Sequence, residues 1–365
     1  MNISINKKIL IKLLKIVSGG VIKNYSSKDE IFSHILLKII NNKIFCISSN
    51  DEIEIITYDK ILSNINIELI LSFKTIYNIC KTSSDDSEII IIKKIKHMEI
   101  KSENSLFTIP YPSYNIFPIF SKYKKIKNKI SFISNNIKML FSKTLFSISE
   151  NDSRCFLNGL LLEIKKDKMY AISSDGHRLS MDSINIKENE INNKFIIPKN
   201  TIYKFINTFP NDTNITIYFS DKYIKFLTNN ITFTSKLIND NYPDMYKLLN
   251  NDSNKFINLN TYIFKSALLK TQTLCNINNK KIKIILNNNN MTIIASNNIE
   301  QIITNLKINY EYEMFEIVLN LSYIIDILNV IQSNIIKIIF PDENKIIIKE
   351  TNSFNGTYLI MPYKL

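Results

Sequence analysis

Asp175 and His177 stand two residues apart and are the residue types an acid–base pair needs. Between them lies Gly176, so the pair flanks an expected tight turn, and no third residue is placed to orient the imidazole. No phosphate-cradling loop accompanies them. The chain has five glycines, only Gly19 and Gly20 are adjacent, and no G-K-[ST] occurs. Neither a G-x-S-x-G nucleophile turn nor an H-E-x-x-H zinc helix is present. Cys46, Cys80, Cys155 and Cys275 are widely separated without a C-x-x-C pair, which argues against a zinc site or a disulfide framework. His34, His97 and His177 cannot build a typical metal cluster alone. The expectation is a protein that catalyses nothing and carries no metal or cofactor.

The two arginines are more informative. Arg154 and Arg178 stand against 44 lysines, in a chain whose heavy use of Lys, Ile and Asn fits an AT-rich coding sequence. Under that bias a surviving arginine points to a task lysine does poorly, such as planar two-point hydrogen bonding or stacking. The same bias weakens the meaning of the +13 net charge. A basic surface attracts nucleic acid, anionic membrane or acidic protein, but codon bias accounts for it equally well. No apolar run approaches the ~18 residues of a membrane span. The apolar stretch from Ile9 to Val17 is broken by Lys12 and Lys15, unlike the core of a signal peptide. The expected location is the cytoplasm, with reduced cysteines.

The elements that carry these residues repeat three times. Leu36–Ile40, an Asn-Asn-Lys turn and Ile44–Asp51 read as strand, turn, strand. Leu160–Ile164 with Met169–Gly176, and Ile282–Leu286 with Met291–Asn298, repeat the pattern. Ile47, Ile172 and Ile294 mark it at offsets of about 125 and 122 residues, the length of a domain. Each copy is expected to begin with a helix: Ile5 to Ser18, Ile133 to Glu150 and Asn260 to Cys275. In the first, Ile9, Leu10, Leu13, Leu14 and Val17 form an apolar stripe opposite Lys8, Lys12 and Lys15. A second helix follows at Ser72–Lys81, Lys199–Phe209 and Leu321–Gln332, then three short strands. The fold class is therefore α+β, three tandem copies of two helices packed on antiparallel sheet. Polar stretches around Tyr123–Asn128 and Asn250–Asn254 divide the copies into 1–126, 127–253 and 254–365. Only the middle copy carries Gly-His-Arg at its second turn; the turns at Asp51 and Asn298 do not.

Arg154 followed by Asn158-Gly159-Leu160-Leu161-Leu162-Glu163, Ser174-Asp175-Gly176-His177-Arg178-Leu179-Ser180, Phe233-Thr234-Ser235-Lys236-Leu237 with Tyr242-Pro243-Asp244, Asn320-Leu321-Ser322-Tyr323 and the terminal Met361-Pro362-Tyr363-Lys364-Leu365 occur in this order. Over the threefold repeat they resemble the bacterial DNA polymerase III β subunit, the β sliding clamp family, along the whole chain. The resemblance implies a head-to-tail homodimer closed into a ring around duplex DNA, with helices lining the hole and sheets outside. Retention would be topological and independent of sequence, with helix lysines touching phosphates. Lys8, Lys12, Lys74, Lys138, Lys199 and Lys204, with Lys15, Lys143, Lys265 and Lys270, are the helix candidates, and Arg154 would also face DNA.

The same resemblance implies a hydrophobic groove for short peptides of the polymerase III catalytic subunit, an ATP-driven clamp loader, and other polymerases and repair proteins. Its matching positions are Leu157, Ser174, Gly176, His177, Arg178, Leu179, Pro243, Lys247, Leu248, Asn320, Tyr323, Leu359, Ile360, Met361, Pro362 and Tyr363. Read without it, Leu157, Leu179, Leu248, Leu359 and Ile360 would simply be core. Phe107 and Ile109 on one edge, with Leu274 on the other, are the implied dimer contacts. Lys247 and Lys364 stand where the family often has arginine, Tyr363 stands where smaller or more flexible side chains occur, and the loop from Ile22 to Lys28 matches poorly. A different class of protein, a basic nucleic-acid binder that does not encircle, would bind linear and circular DNA alike.

Overall fold

A computed structural model of the chain describes residues 2–22, 29–63, 65–112, 116–120, 128–187, 192–249, 253–274, 280–297, 299–351 and 355–363. The lysine-rich stretch 122–127, positions 250–252, the loop positions 23–28, and Cys275, Asn298, Lys364 and Leu365 lie outside these.

Apart from short helical turns, one element order recurs three times: strand, helix, four strands, helix, three strands. Each copy opens with a strand rather than a helix: Asn2–Asn6, Asn128–Ile133 and Phe256–Asn260. The alternation of Ile3 and Ile5 inward with polar neighbours outward suits period-two structure, and the helical stripe begins only afterwards. Asn6 and Asn260 mark the switch, each side chain accepting a backbone N–H of the helix that follows. The first helices are Lys7–Val17, Ser134–Leu145 and Thr261–Gln272; the second are Phe73–Thr82, Lys199–Thr208 and Leu321–Val330.

By packing, the chain forms two compact units, Met1–Ile137 with Asn200–Leu237, and Lys138–Lys199 with Ile238–Leu365. Each holds one eight-stranded and one four-stranded antiparallel sheet. In the first unit, Ile53–Lys60 pairs with Ile231–Lys236 at the middle of the large sheet. In the second, Arg178–Asn185 pairs with Thr357–Ile360, setting Arg178 opposite Ile360 and Leu179 opposite Leu359. Strand alternation then sorts the side chains. Leu179 and Leu359 join Leu161, Ile172, Ile196, Met245 and Leu249 on one face. Tyr358 and Ile360 join Phe264, Leu268, Ile324 and Leu328 on the other.

With so few glycines, asparagine takes most left-handed turn positions. Asn41 and Asn42, and Asn288 and Asn289, have φ between 46° and 60°, the pairs that close two-residue hairpins. Gly176 is the glycine held in a left-handed backbone, with φ of 88° at the turn between Lys168–Ser174 and Arg178–Asn185.

Candidate functional site

The turn at Gly176 is built by its own side chains. Ser174 Oγ donates to the Arg178 carbonyl at 2.8 Å and accepts the Gly176 N–H at 3.1 Å. Asp175 Oδ1 accepts the backbone N–H of both His177 and Arg178 at 3.0 Å, and Oδ2 takes Arg178 Nε at 2.9 Å. The Asp175 carboxylate thus braces the turn and the arginine, while the His177 ring is exposed. An Asp175–His177 acid–base pair is not what this geometry builds.

Arg178 is the hub. Its Nη1 donates to Asp326 Oδ2 and its Nη2 to the Phe146 carbonyl, both at 2.6 Å. Its guanidinium carbon lies 4.4 Å from the Tyr323 ring centroid and 5.2 Å from that of Phe146. Directed bonds from three guanidinium nitrogens, made while the same cation faces two rings, are a task a lysine ammonium cannot perform. Arg154 uses the same chemistry, forked onto Asp152 through Nε and Nη2, each at 3.0 Å. That fork holds the Asp152 carboxyl down to about 2. The Arg154 guanidinium also lies over Gly176, where an added Cβ would meet Nη2 at 2.9 Å. The two arginines therefore bracket one turn, a proximity that their separate assignment to DNA and groove did not anticipate.

The C-terminal segment runs beside this turn. After Thr357–Ile360, the Met361 N–H bonds the His177 carbonyl at 2.8 Å and the Tyr363 N–H bonds the Val318 carbonyl at 2.9 Å. Asn320 caps the Leu321–Val330 helix through its Oδ1 and donates from Nδ2 to the Tyr363 hydroxyl at 3.2 Å. Lys281 Nζ sits 4.9 Å from the Tyr363 ring centroid. Met361 and Tyr363 stay well exposed, as do Pro243, Lys247 and Leu248. Leu157, Leu179 and Leu359 are buried beneath as support. Ile360 is fully buried among the side chains of the opposite face, so it supports the strand and lines no surface. Of the five apolar positions that could have been mere core, only Leu248 is exposed.

Sequence reasoning did not find Asp326, Phe146 or Lys281. Asp326 had a signal: three residues after Tyr323 on a helix, it shares that residue's side. The other two are brought in by tertiary packing alone.

Comparison with known proteins supplies what geometry cannot. A family model described as the central domain of the DNA polymerase III beta subunit matches residues 132–244, and one described as its C-terminal domain matches 246–364. The beta sliding clamp of Buchnera aphidicola subsp. Acyrthosiphon pisum is 30% identical over 370 residues, covering all of both chains. The chain belongs to the beta sliding clamp family. The beta sliding clamp of Haemophilus influenzae is 26% identical, again over the whole of both chains. The crystal structure of the DNA polymerase III subunit beta from Pseudomonas aeruginosa superposes with a TM-score of 0.94 at 25% identity, covering both chains completely. Another structure of a sliding clamp from that organism is described as bound to griselimycin, with a TM-score of 0.93.

The remaining positions that the clamp resemblance singles out are scattered over both units. Lys74 is exposed on its helix, as are Lys15 and Lys270. Lys8 and Lys12 are exposed but paired with Asp86 at 2.7 Å and Asp59 at 2.9 Å. Lys199 is paired with Glu150 at 2.8 Å. Lys138, Lys204 and Lys265 are half-buried, and burial draws the Lys138 ammonium below its ordinary range. Lys143 is a correction: only 2% exposed, it is ion-paired inside the second unit and presents nothing to a phosphate. Phe107 and Ile109 lie half-buried on Ser105–Pro110, an edge strand of the first unit's small sheet. Leu274 follows the Thr261–Gln272 helix, half-buried. One edge strand of the second unit's small sheet is Gln301–Lys307, with Ile303 exposed. No described helix is long and apolar enough to cross a membrane.

Proposed function

We propose that this protein is the sliding clamp of a bacterial replicative DNA polymerase, a head-to-tail dimeric ring around duplex DNA that docks partner peptides in a groove beside the Gly176 turn. Membership of the clamp family along the full chain carries the reading. The domains are read as 1–126, 127–253 and 254–365, in line with the threefold element order. The clamp is a processivity factor with no reaction of its own, working in the cytoplasm. Its partners are the polymerase III catalytic subunit, an ATP-driven loader, and other polymerases and repair proteins.

The groove runs along Pro243, Lys247, Leu248, Met361, Pro362 and Tyr363, with His177, Arg178, Asn320 and Tyr323 at its end. Exposed apolar side chains on a backbone pinned by hydrogen bonds favour this, because a preformed ledge spares a bound peptide part of the ordering cost. Lys8, Lys12, Lys74, Lys138, Lys199, Lys204 and Arg154 are the proposed DNA-facing cations. Surface ion pairs such as Lys12–Asp59 contribute at most about 1 kcal/mol, so phosphates can compete for the lysines. For the dimer seam, Phe107 and Ile109 on one edge strand would meet the region of Leu274 and the edge strand carrying Ile303.

A fluorescent Gln-Leu-x-Leu-Phe-type peptide tests the groove. Binding that is abolished by removing residues 363–365 is expected; a folded, dimeric protein that ignores the peptide overturns the groove. Loaded onto circular DNA, the clamp should stay until the circle is cut. Equal retention on linear and circular DNA would instead mark a non-encircling binder.

A further inference from the structure

The groove wall that carries Lys247 and Leu248 is the four-residue helical turn Tyr246–Leu249. So short a helix has no stability of its own and must be held by tertiary contacts. From below, Met245 and Leu249 are buried among Leu161, Ile172, Leu179 and Leu359. From the side, the Tyr246 hydroxyl donates to Glu163 Oε2. Glu163 is 1% exposed on the Gly159–Lys165 strand, its two oxygens also held by Lys165 at 3.0 Å and Lys194 at 3.2 Å. Lys165 Nζ lies 4.2 Å from the Tyr246 ring centroid, and Tyr170 meets that ring edge-on at 6.0 Å. Lys345 Nζ donates to the Leu248 carbonyl at 2.9 Å.

We propose that the Tyr246–Glu163 hydrogen bond is a latch that fixes the groove wall, making Tyr246 a positioning residue for partner-peptide binding; the proposal rests on the groove reading above. Tyr246 touches no bound peptide itself. It holds Lys247 and Leu248 where a peptide meets them. A neutral hydroxyl bonded to a buried carboxylate is among the stronger side-chain bonds. Without it, the wall spends part of its time displaced, and apparent affinity is the intrinsic affinity multiplied by the fraction of time the wall is in place.

Tyr246→Phe keeps the ring, its packing and the lysine pairs of Glu163. The variant should bind the fluorescent Gln-Leu-x-Leu-Phe-type peptide about three- to tenfold more weakly. Amide hydrogen exchange across 245–249 should rise, with dimer mass unchanged and the melting temperature lowered by no more than a few degrees. Glu163→Gln, which still offers an acceptor, should weaken binding less, and should add nothing to Tyr246→Phe. Binding of Tyr246→Phe within twofold of wild type, or additive effects of the two substitutions, overturns the latch. Failure of the wild-type protein to bind the peptide overturns the groove itself, so the two failures are distinct.

Discussion

Replacing Lys143 by methionine tests whether a buried ion cluster holds the second unit together. Lys143 Nζ lies 2.6 Å from Glu350 Oε1 and 3.5 Å from Asp182 Oδ2, and all three side chains are at most 4% exposed. The carboxylates have other partners: Glu350 takes the Gln332 N–H at 3.0 Å and the Tyr358 hydroxyl at 3.3 Å, and Asp182 the Ser183 N–H at 2.8 Å. These are neutral donors and do not replace the ammonium charge. Methionine matches the volume and removes the charge, leaving two anions in a dry interior. Breaking a buried pair in this way costs about 3–5 kcal/mol. At ~2–4 °C per kcal/mol, the transition of the second unit should fall by roughly 6–20 °C. The pH dependence adds a sign. Burial raises the Asp182 carboxyl above its ordinary 3.8, against the pull of Lys143. Between 3.8 and that raised value the native state holds the proton more firmly than the unfolded chain, so on this group's account stability falls as pH rises through the window. Without Lys143 the carboxyl rises further and the window widens. The deficit of the variant against wild type should therefore shrink between pH 7 and pH 5. Urea titrations of both proteins at the two pH values measure it. A loss under ~1 kcal/mol at pH 7, far below the cost of breaking a buried pair, or a deficit that ignores pH, would refute the reasoning.

Gly176→Ala places a side chain at φ of 88°, which costs about 1–2 kcal/mol, and displaces Arg154; peptide titration beside thermal melting should show weaker binding in a folded protein. Asp152 should titrate near 2 by NMR, because the Arg154 fork stabilises its charged form. This depressed value means its contribution is intact above the ordinary 3.8 and is lost as pH falls toward 2; in Arg154→Lys the midpoint should move back toward 3.8. Alkylation at pH 8 followed by peptide mapping should find Cys155 modified in the native protein. Cys46 and Cys80 should react only after unfolding, because both are fully buried and burial pushes the Cys80 thiol up to about 12. Charge substitutions at Phe107 and Ile303 should split the dimer by light scattering; a dimer that persists rules out the edge-strand seam.

Patterns local in sequence are legible from the residues alone. The period-two runs around Ile47, Ile172 and Ile294, the stripe of Leu10, Leu13, Leu14 and Val17, and the Asp-Gly turn are short-range consequences of backbone geometry. The scarcity of arginine points to Arg154 and Arg178, and both make the planar, multi-point bonds that lysine cannot. The opening strand of each copy is easily missed because its few alternating residues run directly into a helical stripe, and pairing with a distant strand settles it. What tertiary structure alone decided is which side chain meets which. The register of Arg178–Asn185 against Thr357–Ile360 sends Leu359 to one face and Ile360 to the other, though both are equally apolar. Packing also buries Lys143 with two carboxylates, while Lys74, on a similar helix, meets water. A sequence states each residue's chemistry and local period; the burial and partners that set this site arise where segments far apart in the chain meet, as Arg178–Asn185 and Thr357–Ile360 do, and that pairing is settled only when the whole core closes.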